Sequence, residues 1–155
     1  MFNNAQGHAI GPNWGTPIDN SNGDVAIIRI NNASASGWNP KHWVYLDSSP
    51  DVPDYYIIND APSSVGGTVC LTGAFGESQF GTSCGTVAEL DYGGSKFTRT
   101  NVICAIQGDS GGPYFSGHVA YGIHKAGVVE GCGETLYQEV QDAESLKNVN
   151  VIHGG

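Results

Sequence analysis

Apolar and polar positions along this chain alternate in short bursts rather than in long helical stripes. Val25 to Ile30 is a β-branched run opened by the turn-forming Asn20-Ser21-Asn22-Gly23, and it predicts a buried strand. Shorter runs predict strands at Trp43 to Leu46, Tyr55 to Asn59, Thr68 to Leu71, Thr86 to Leu90 and Phe97 to Thr100. Pro113 to Ser116 and His118 to His124 read as a hairpin turning through Ser116-Gly117, and Leu136 to Val140 as the last strand. Only Gln141 to Lys147 has helical character, with Asn148 as its stop. Strands this short and evenly spaced, closed by one helix, predict an all-β barrel or sandwich. The 23 glycines suit its tight turns, and they follow no G-x-y period that would signal collagen.

Charge narrows the partners. With 6 basic against 15 acidic residues the formal net charge is −9, which repels a phosphate backbone. No apolar run approaches the length of a membrane span. Neither nucleic acid nor membrane is therefore expected as a partner. Cys70, Cys84, Cys104 and Cys132 form an even set without a CxxC pair, so two disulfides in an oxidising compartment fit better than zinc. Spacing alone leaves their three possible pairings open. The segment Met1 to Gln6 has neither the basic region nor the apolar core of a signal peptide, although the cysteines point to secretion.

Gly108-Asp109-Ser110-Gly111-Gly112-Pro113 carries the clearest chemistry. It places a serine on a tight turn whose glycines let backbone approach a substrate closely. Backbone N–H groups on such a turn converge on one point and stabilise a developing oxyanion. The serine needs a neighbouring base, usually an oriented histidine. A glycine-rich hairpin with an incidental serine is the plain alternative.

The hexapeptide resembles the nucleophile motif of the chymotrypsin-like serine endopeptidases, in particular the bacterial streptogrisin and α-lytic-type group. Asp24-Val25-Ala26-Ile27-Ile28-Arg29-Ile30 is similar to that family's triad-aspartate strand. Val69-Cys70, Ser83-Cys84 and the positions of Cys104 and Cys132 resemble the two bridges of its second barrel, which implies Cys70–Cys84 and Cys104–Cys132. His118 to Gly127 resembles the strand lining the primary specificity pocket. Tyr137 to Val140 and the helix after it resemble the closing strand and C-terminal helix.

The resemblance implies a double Greek-key β-barrel fold with the first barrel incomplete. Residues 1–45 would be a remnant of that barrel carrying Asp24, and residues 46–155 the second barrel. It implies a secreted, monomeric serine endopeptidase acting on peptide or protein substrates through an acyl-enzyme, without metal or cofactor. Ser110 would be the nucleophile, Asp24 the orienting carboxylate, and the N–H groups of Gly108 and Ser110 the oxyanion hole. Gln107, His124, Lys125, Ala126 and Gly127 would contact substrate. His124 stands where many relatives carry a small hydroxyl residue, and some glutamate-preferring relatives place a histidine there. Beside Lys125 it could favour an acidic P1 side chain; packing under the strand is the other reading.

Two departures stand out. The family's small-Gly-His-Cys segment is absent, and His8 alone of the five histidines precedes Asp24. His8 reads better as part of the segment that follows the catalytic histidine, so Met1 is expected to be an internal or mis-called start. Relatives neutralise the carboxylate at Asp109 with a buried cation, in the bacterial group an arginine, but that place holds Leu71. A buried unpaired aspartate would be costly, so another cation reaches it or the turn is held differently. Two further readings are a peptide-binding homologue without catalysis and a lectin-like module using Trp14, Trp38 and Trp43. Asn32-Ala33-Ser34 is a glycosylation pattern that matters only in a eukaryotic secretory pathway.

Overall fold

Thr68–Leu71 reads exposed, buried, half-buried, buried, the two-residue period of a strand with one face turned inward. The computed structural model describes residues 2–3, 9–29, 42–44, 46, 55–127 and 130–152. Its strands are β1 (Phe2–Asn3), β2 (Ala9–Gly11), β3 (Ile18–Asn20), β4 (Gly23–Val25), β5 (Trp43–Val44), β6 (Tyr55–Tyr56) and β7 (Asn59–Asp60). There follow β8 (Thr68–Leu71), β9 (Ser83–Glu89), β10 (Phe97–Ile106), β11 (Pro113–Ser116), β12 (Val119–Gly127) and β13 (Glu130–Glu139). Two α-helices, α1 (Gly76–Phe80) and α2 (Val140–Lys147), and a 3-10 turn at Tyr92–Gly94 complete the set among the described residues.

The order β11-β8-β9-β10-β13-β12 is closed by pairing of β11 with β12 into a six-stranded barrel, and β7 adds outside it on β12. Every barrel pairing is antiparallel. Closure removes the sheet edges that would otherwise template aggregation. Val69, Leu71, Val87, Ile103, Ala105, Tyr114 and Tyr137 fill the interior, and full burial of a valine, leucine or isoleucine side chain contributes roughly 1.5–3 kcal/mol. Val44, Ile57 and Phe115 form a second cluster where the β5–β6 ribbon packs against β11. The fold is thus mostly β, and of the two forms the strand pattern predicts it is the barrel.

The β3–β4 hairpin rests on the barrel through Lys96 N–H to the Ser21 carbonyl, 2.7 Å, and Lys147 Nζ to the Thr16 carbonyl, 2.6 Å. Gly23 permits the approach: a Cβ there would lie 2.6 Å from Leu146 Cδ1.

Several elements differ in extent from the sequence reading. The run from Val25 is not one buried strand. Pairing with β3 ends at Val25, among the described residues only an isolated bridge from Asn13 to Ile28 continues it, and Ile28 is 37% exposed; Ile30 lies outside the described residues. Tyr55 to Asn59 splits into β6 and β7 because Ile57 and Ile58 turn their N–H groups to two different carbonyls, those of His42 and His118. β10 is longer than Phe97 to Thr100, since the chain continues to Ile106 past a bulge before Ile103. Val140 opens α2 rather than ending β13. Asn148 ends α2 in the left-handed conformation, φ 52°.

The disulfides are Cys70–Cys84, joining β8 to β9, and Cys104–Cys132, joining β10 to β13. They close steps of 14 and 28 residues. Replacing the second pair by alanines is expected to cost roughly 3 kcal/mol on the loop-entropy estimate. Chemical denaturation of the double alanine variant measures this, and an unchanged midpoint would contradict it.

Candidate active site

β10 ends at Ile106 and β11 begins at Pro113, so the intervening turn sits at one mouth of the barrel. Gly108 has φ +107°, a region that side chains avoid, and a Cβ on it would lie 2.5 Å from the Phe75 ring. The turn is bonded to itself through Gly112 N–H to the Asp109 carbonyl, 2.9 Å. It is bonded to β12 in both directions, Gly111 N–H to the His124 carbonyl and His124 N–H to the Gly112 carbonyl, each 2.8 Å. Ser110 is exposed on this rigid turn, and its Oγ donates to the Lys125 carbonyl at 3.3 Å.

Asp109, 1% exposed, supports the turn from beneath. No lysine or arginine sits at the place of Leu71, whose side chain is part of the core. The carboxylate is met by backbone donors instead. Its Oδ1 accepts from Phe75 N–H at 3.0 Å and Gly76 N–H at 2.8 Å, and Oδ2 from Ile106 N–H at 2.9 Å. Of the two alternatives the second holds among the described residues: the turn is held differently, by amides. Burial alone would push the Asp109 pKa up, but the three donors and the nearby His124 hold it below the ordinary carboxylate value. Gly73 and Gly76 make room: a Cβ at Gly73 would lie 2.2 Å from Asp109 Cγ, and one at Gly76 2.3 Å from Oδ2.

His124 is 5% exposed at the barrel wall. Tyr114 Oη lies 3.4 Å from its Nδ1 and 2.5 Å from Thr135 Oγ1, which lies 2.5 Å from Thr100 Oγ1. Tyr114 in turn stacks on Tyr137 at 4.3 Å. Burial lowers the His124 pKa and the Asp109 charge offsets only part of this, so the ring is neutral at pH 7. Burial pushes the Tyr114 phenol up to about 12, so it remains a donor.

Lys125 follows at a bulge. His124 pairs with Tyr137 and Ala126 with the adjacent Leu136, leaving Lys125 without an opposite residue. Its Nζ lies 2.8 Å from Asp24 Oδ2, 3.4 Å from Asp19 Oδ1 and 4.5 Å from the centre of the Phe97 ring. Burial draws its pKa down, but the two carboxylates outweigh this and hold it above the ordinary lysine value. Asp24 itself is seated by β4, with its N–H donating to Gln138 Oε1 at 3.2 Å.

Asp24, Ser110, His124 and Lys125, with Ala26 and Ile123, line one open cleft of about 450 Å³. Gln107 and Gly108 are exposed on the turn beside it, and Ala126 and Gly127 on the outgoing end of β12. His118 lies at the hairpin tip, stacked on Tyr56, and His42 adjoins the same end through Ile57. Both are therefore at the far end of β11–β12 from Ser110. His8, Trp38 and Asn32-Ala33-Ser34 lie outside the described residues. Trp14 carries the Arg29 guanidinium 5.6 Å above its ring. Sequence reasoning missed the Phe75 and Gly76 amides, the Tyr114–Thr135–Thr100 chain and the Lys125–Asp24 pair. The paired glycines flanking Phe75 were the only available sign of the first.

A family model described as Trypsin matches residues 5–147. Streptogrisin-A of Streptomyces griseus is 32% identical over 151 residues, covering 93% of this chain and 47% of the relative. Serine protease 2 of Streptomyces fradiae is 33% identical over 129 residues, covering 81% of this chain and 68% of the relative. The chain thus spans about half the length of streptogrisin-A. A glutamic acid specific serine protease, described as using a histidine triad in substrate binding, superposes with a TM-score of 0.72 at 27% identity, over 97% of this chain and 78% of that one. The chymotrypsin of Cellulomonas bogoriensis gives a TM-score of 0.72 at 25% identity, over 92% and 75%.

Proposed function

We propose, for a chain that belongs to the trypsin family of serine proteases, that Ser110 is the nucleophile and Asp24 the orienting carboxylate of a secreted, monomeric endopeptidase. The observation that carries this reading is that Ser110 and Asp24, far apart in sequence, line one cleft. Residues up to 45 would belong to the first barrel and those from 46 to the second. The reading requires an imidazole from residues other than the described ones, placed between Asp24 and Ser110.

In the reaction, Ser110 Oγ leaves the Lys125 carbonyl, gives its proton to the imidazole and attacks the scissile carbonyl. The N–H groups of Gly108 and Ser110 hold the oxyanion, and the fixed turn places them before charge develops. Asp24 stabilises the imidazolium, which then protonates the leaving amine. Beyond its pairing with β11, which ends at Ile123, the Lys125 to Gly127 stretch of β12 offers its backbone to an extended peptide, the β-augmentation mode, with Gln107 beside it.

The same reading assigns the P1 pocket wall to His124, whose Nδ1 faces Tyr114 and whose other nitrogen is left for a ligand. The glutamic acid specificity of the superposed relative supports an acidic P1 residue. Hydrogen bonds to a charged group are worth about 1.5–3 kcal/mol, so peptides with glutamate at P1 are expected to be cleaved about ten- to a hundredfold faster than matched alanine peptides. His124→Ala should remove that preference. Paired peptides at P1 test it, and equal kcat/KM values would discard the assignment.

A further inference from the structure

We infer that Lys125 is a positioning residue for Asp24: its ammonium takes Oδ2 of the carboxylate, leaves Oδ1 to the imidazole, and makes that imidazole a weaker base. The inference rests on the serine endopeptidase reading above.

Three independent features carry it. The bulge on β12 leaves Lys125 without a cross-strand partner and turns its side chain toward β4. The ammonium is gripped from three sides, by Asp24, Asp19 and the face of Phe97, at 2.8, 3.4 and 4.5 Å. The lysine side chain is 23% exposed and that of Asp24 41%, so solvent screens the contact in part, and less than it would a fully exposed pair. A lysine beside the orienting carboxylate brings a full positive charge close to the place where the imidazolium must form. Like charge disfavours that form, so Lys125 trades base strength for a fixed carboxylate.

The other ionisable groups near the pair have their own partners. Asp19 on β3 shares the ammonium. His124 precedes it on β12 beside Tyr114. Asp109 beneath the turn is held by amides. Lys96 is drawn to Asp91, Glu139 to Ser63 and Thr98, and Lys147 to Thr16.

The test is the pH dependence of inactivation of the native full-length protein by a fluorophosphonate carrying no carboxylate, so that the pocket around His124 does not enter. Reaction requires the neutral base, and the acid limb reports its titration. Lys125→Met is expected to move the midpoint of that limb up by about one unit, and Lys125→Arg to restore it. Asp19→Asn, at an exposed site that tolerates change, should move it down by a few tenths, because the ammonium then acts on Asp24 alone. This variant keeps the test open if Lys125→Met fails to fold. A midpoint that stays fixed in the folded variants, with the rate lowered evenly at every pH, overturns the inference and leaves a structural ion pair. An unsubstituted protein that does not react at any pH overturns the serine endopeptidase reading, and this inference with it.

Discussion

Replacing Ser110 by alanine is expected to lower the peptide-bond turnover of the native protein by about a million-fold, the loss seen when a triad serine is removed, with no change in folding. The side chain is exposed and, among the described residues, makes one hydrogen bond, to the Lys125 carbonyl, so its removal leaves no buried group among them unpaired. The turn is held instead by Gly111 and Gly112 bonding to β12 and by Asp109 below. An alanine variant that binds extended peptides as tightly as the parent but cleaves none would assign the hydroxyl to chemistry alone. A variant that differs from the parent in no measurable property would favour the non-catalytic, peptide-binding reading.

The largest effect on stability is expected at Asp109. It accepts from three backbone donors, and hydrogen bonds to a charged group contribute about 1.5–3 kcal/mol each. Asp109→Ala should therefore cost about 3 kcal/mol or more at pH 7, and Asp109→Asn nearly as much, because its amide turns N–H toward N–H. The native-state pKa of Asp109 lies below its unfolded value, so its contribution is full above the unfolded pKa, about 4, and fades as the pH falls through the native one. Denaturation curves of the parent and of Asp109→Asn should thus converge below about pH 4. Curves that stay parallel across that range would contradict the role given to the carboxylate. Gly73→Ala offers a check from the opposite side, since its Cβ would displace Asp109 Cγ, 2.2 Å away. Loss of stability should accompany loss of Ser110 reactivity in that variant, because the turn carrying Ser110 is built on the same carboxylate.

What was legible in the sequence follows how local each interaction is. The nucleophile turn is six consecutive residues whose chemistry is stated by their own side chains, and β8 and β11 are bounded by turn residues on the same scale. The partners of Asp109 were illegible because backbone N–H groups have no signature in side-chain identity; only Gly73 and Gly76, needed for space, hint at them. The Lys125–Asp24 pair was illegible for another reason. It depends on a one-residue register shift between β12 and β13, which no pattern within β12 announces. Val25 to Ile30 misled because a β-branched run reports a preference for burial, while burial itself depends on neighbours. Among the described residues that run has only β3 and the Asn13 bridge beside it.

One arrangement therefore links the site to the fold. Burial beneath the turn fixes Asp109, Asp109 and β12 fix the turn, and the β12 bulge turns Lys125 toward Asp24 across the cleft from Ser110. The most direct test of the central claim is to treat the polypeptide isolated from its native source with a fluorophosphonate at neutral pH and locate the adduct by peptide mass mapping. The account predicts one adduct per chain, on Ser110, with hydrolysis lost in proportion. Peptide hydrolysis that survives the reagent, or an adduct on any residue other than Ser110, would contradict it.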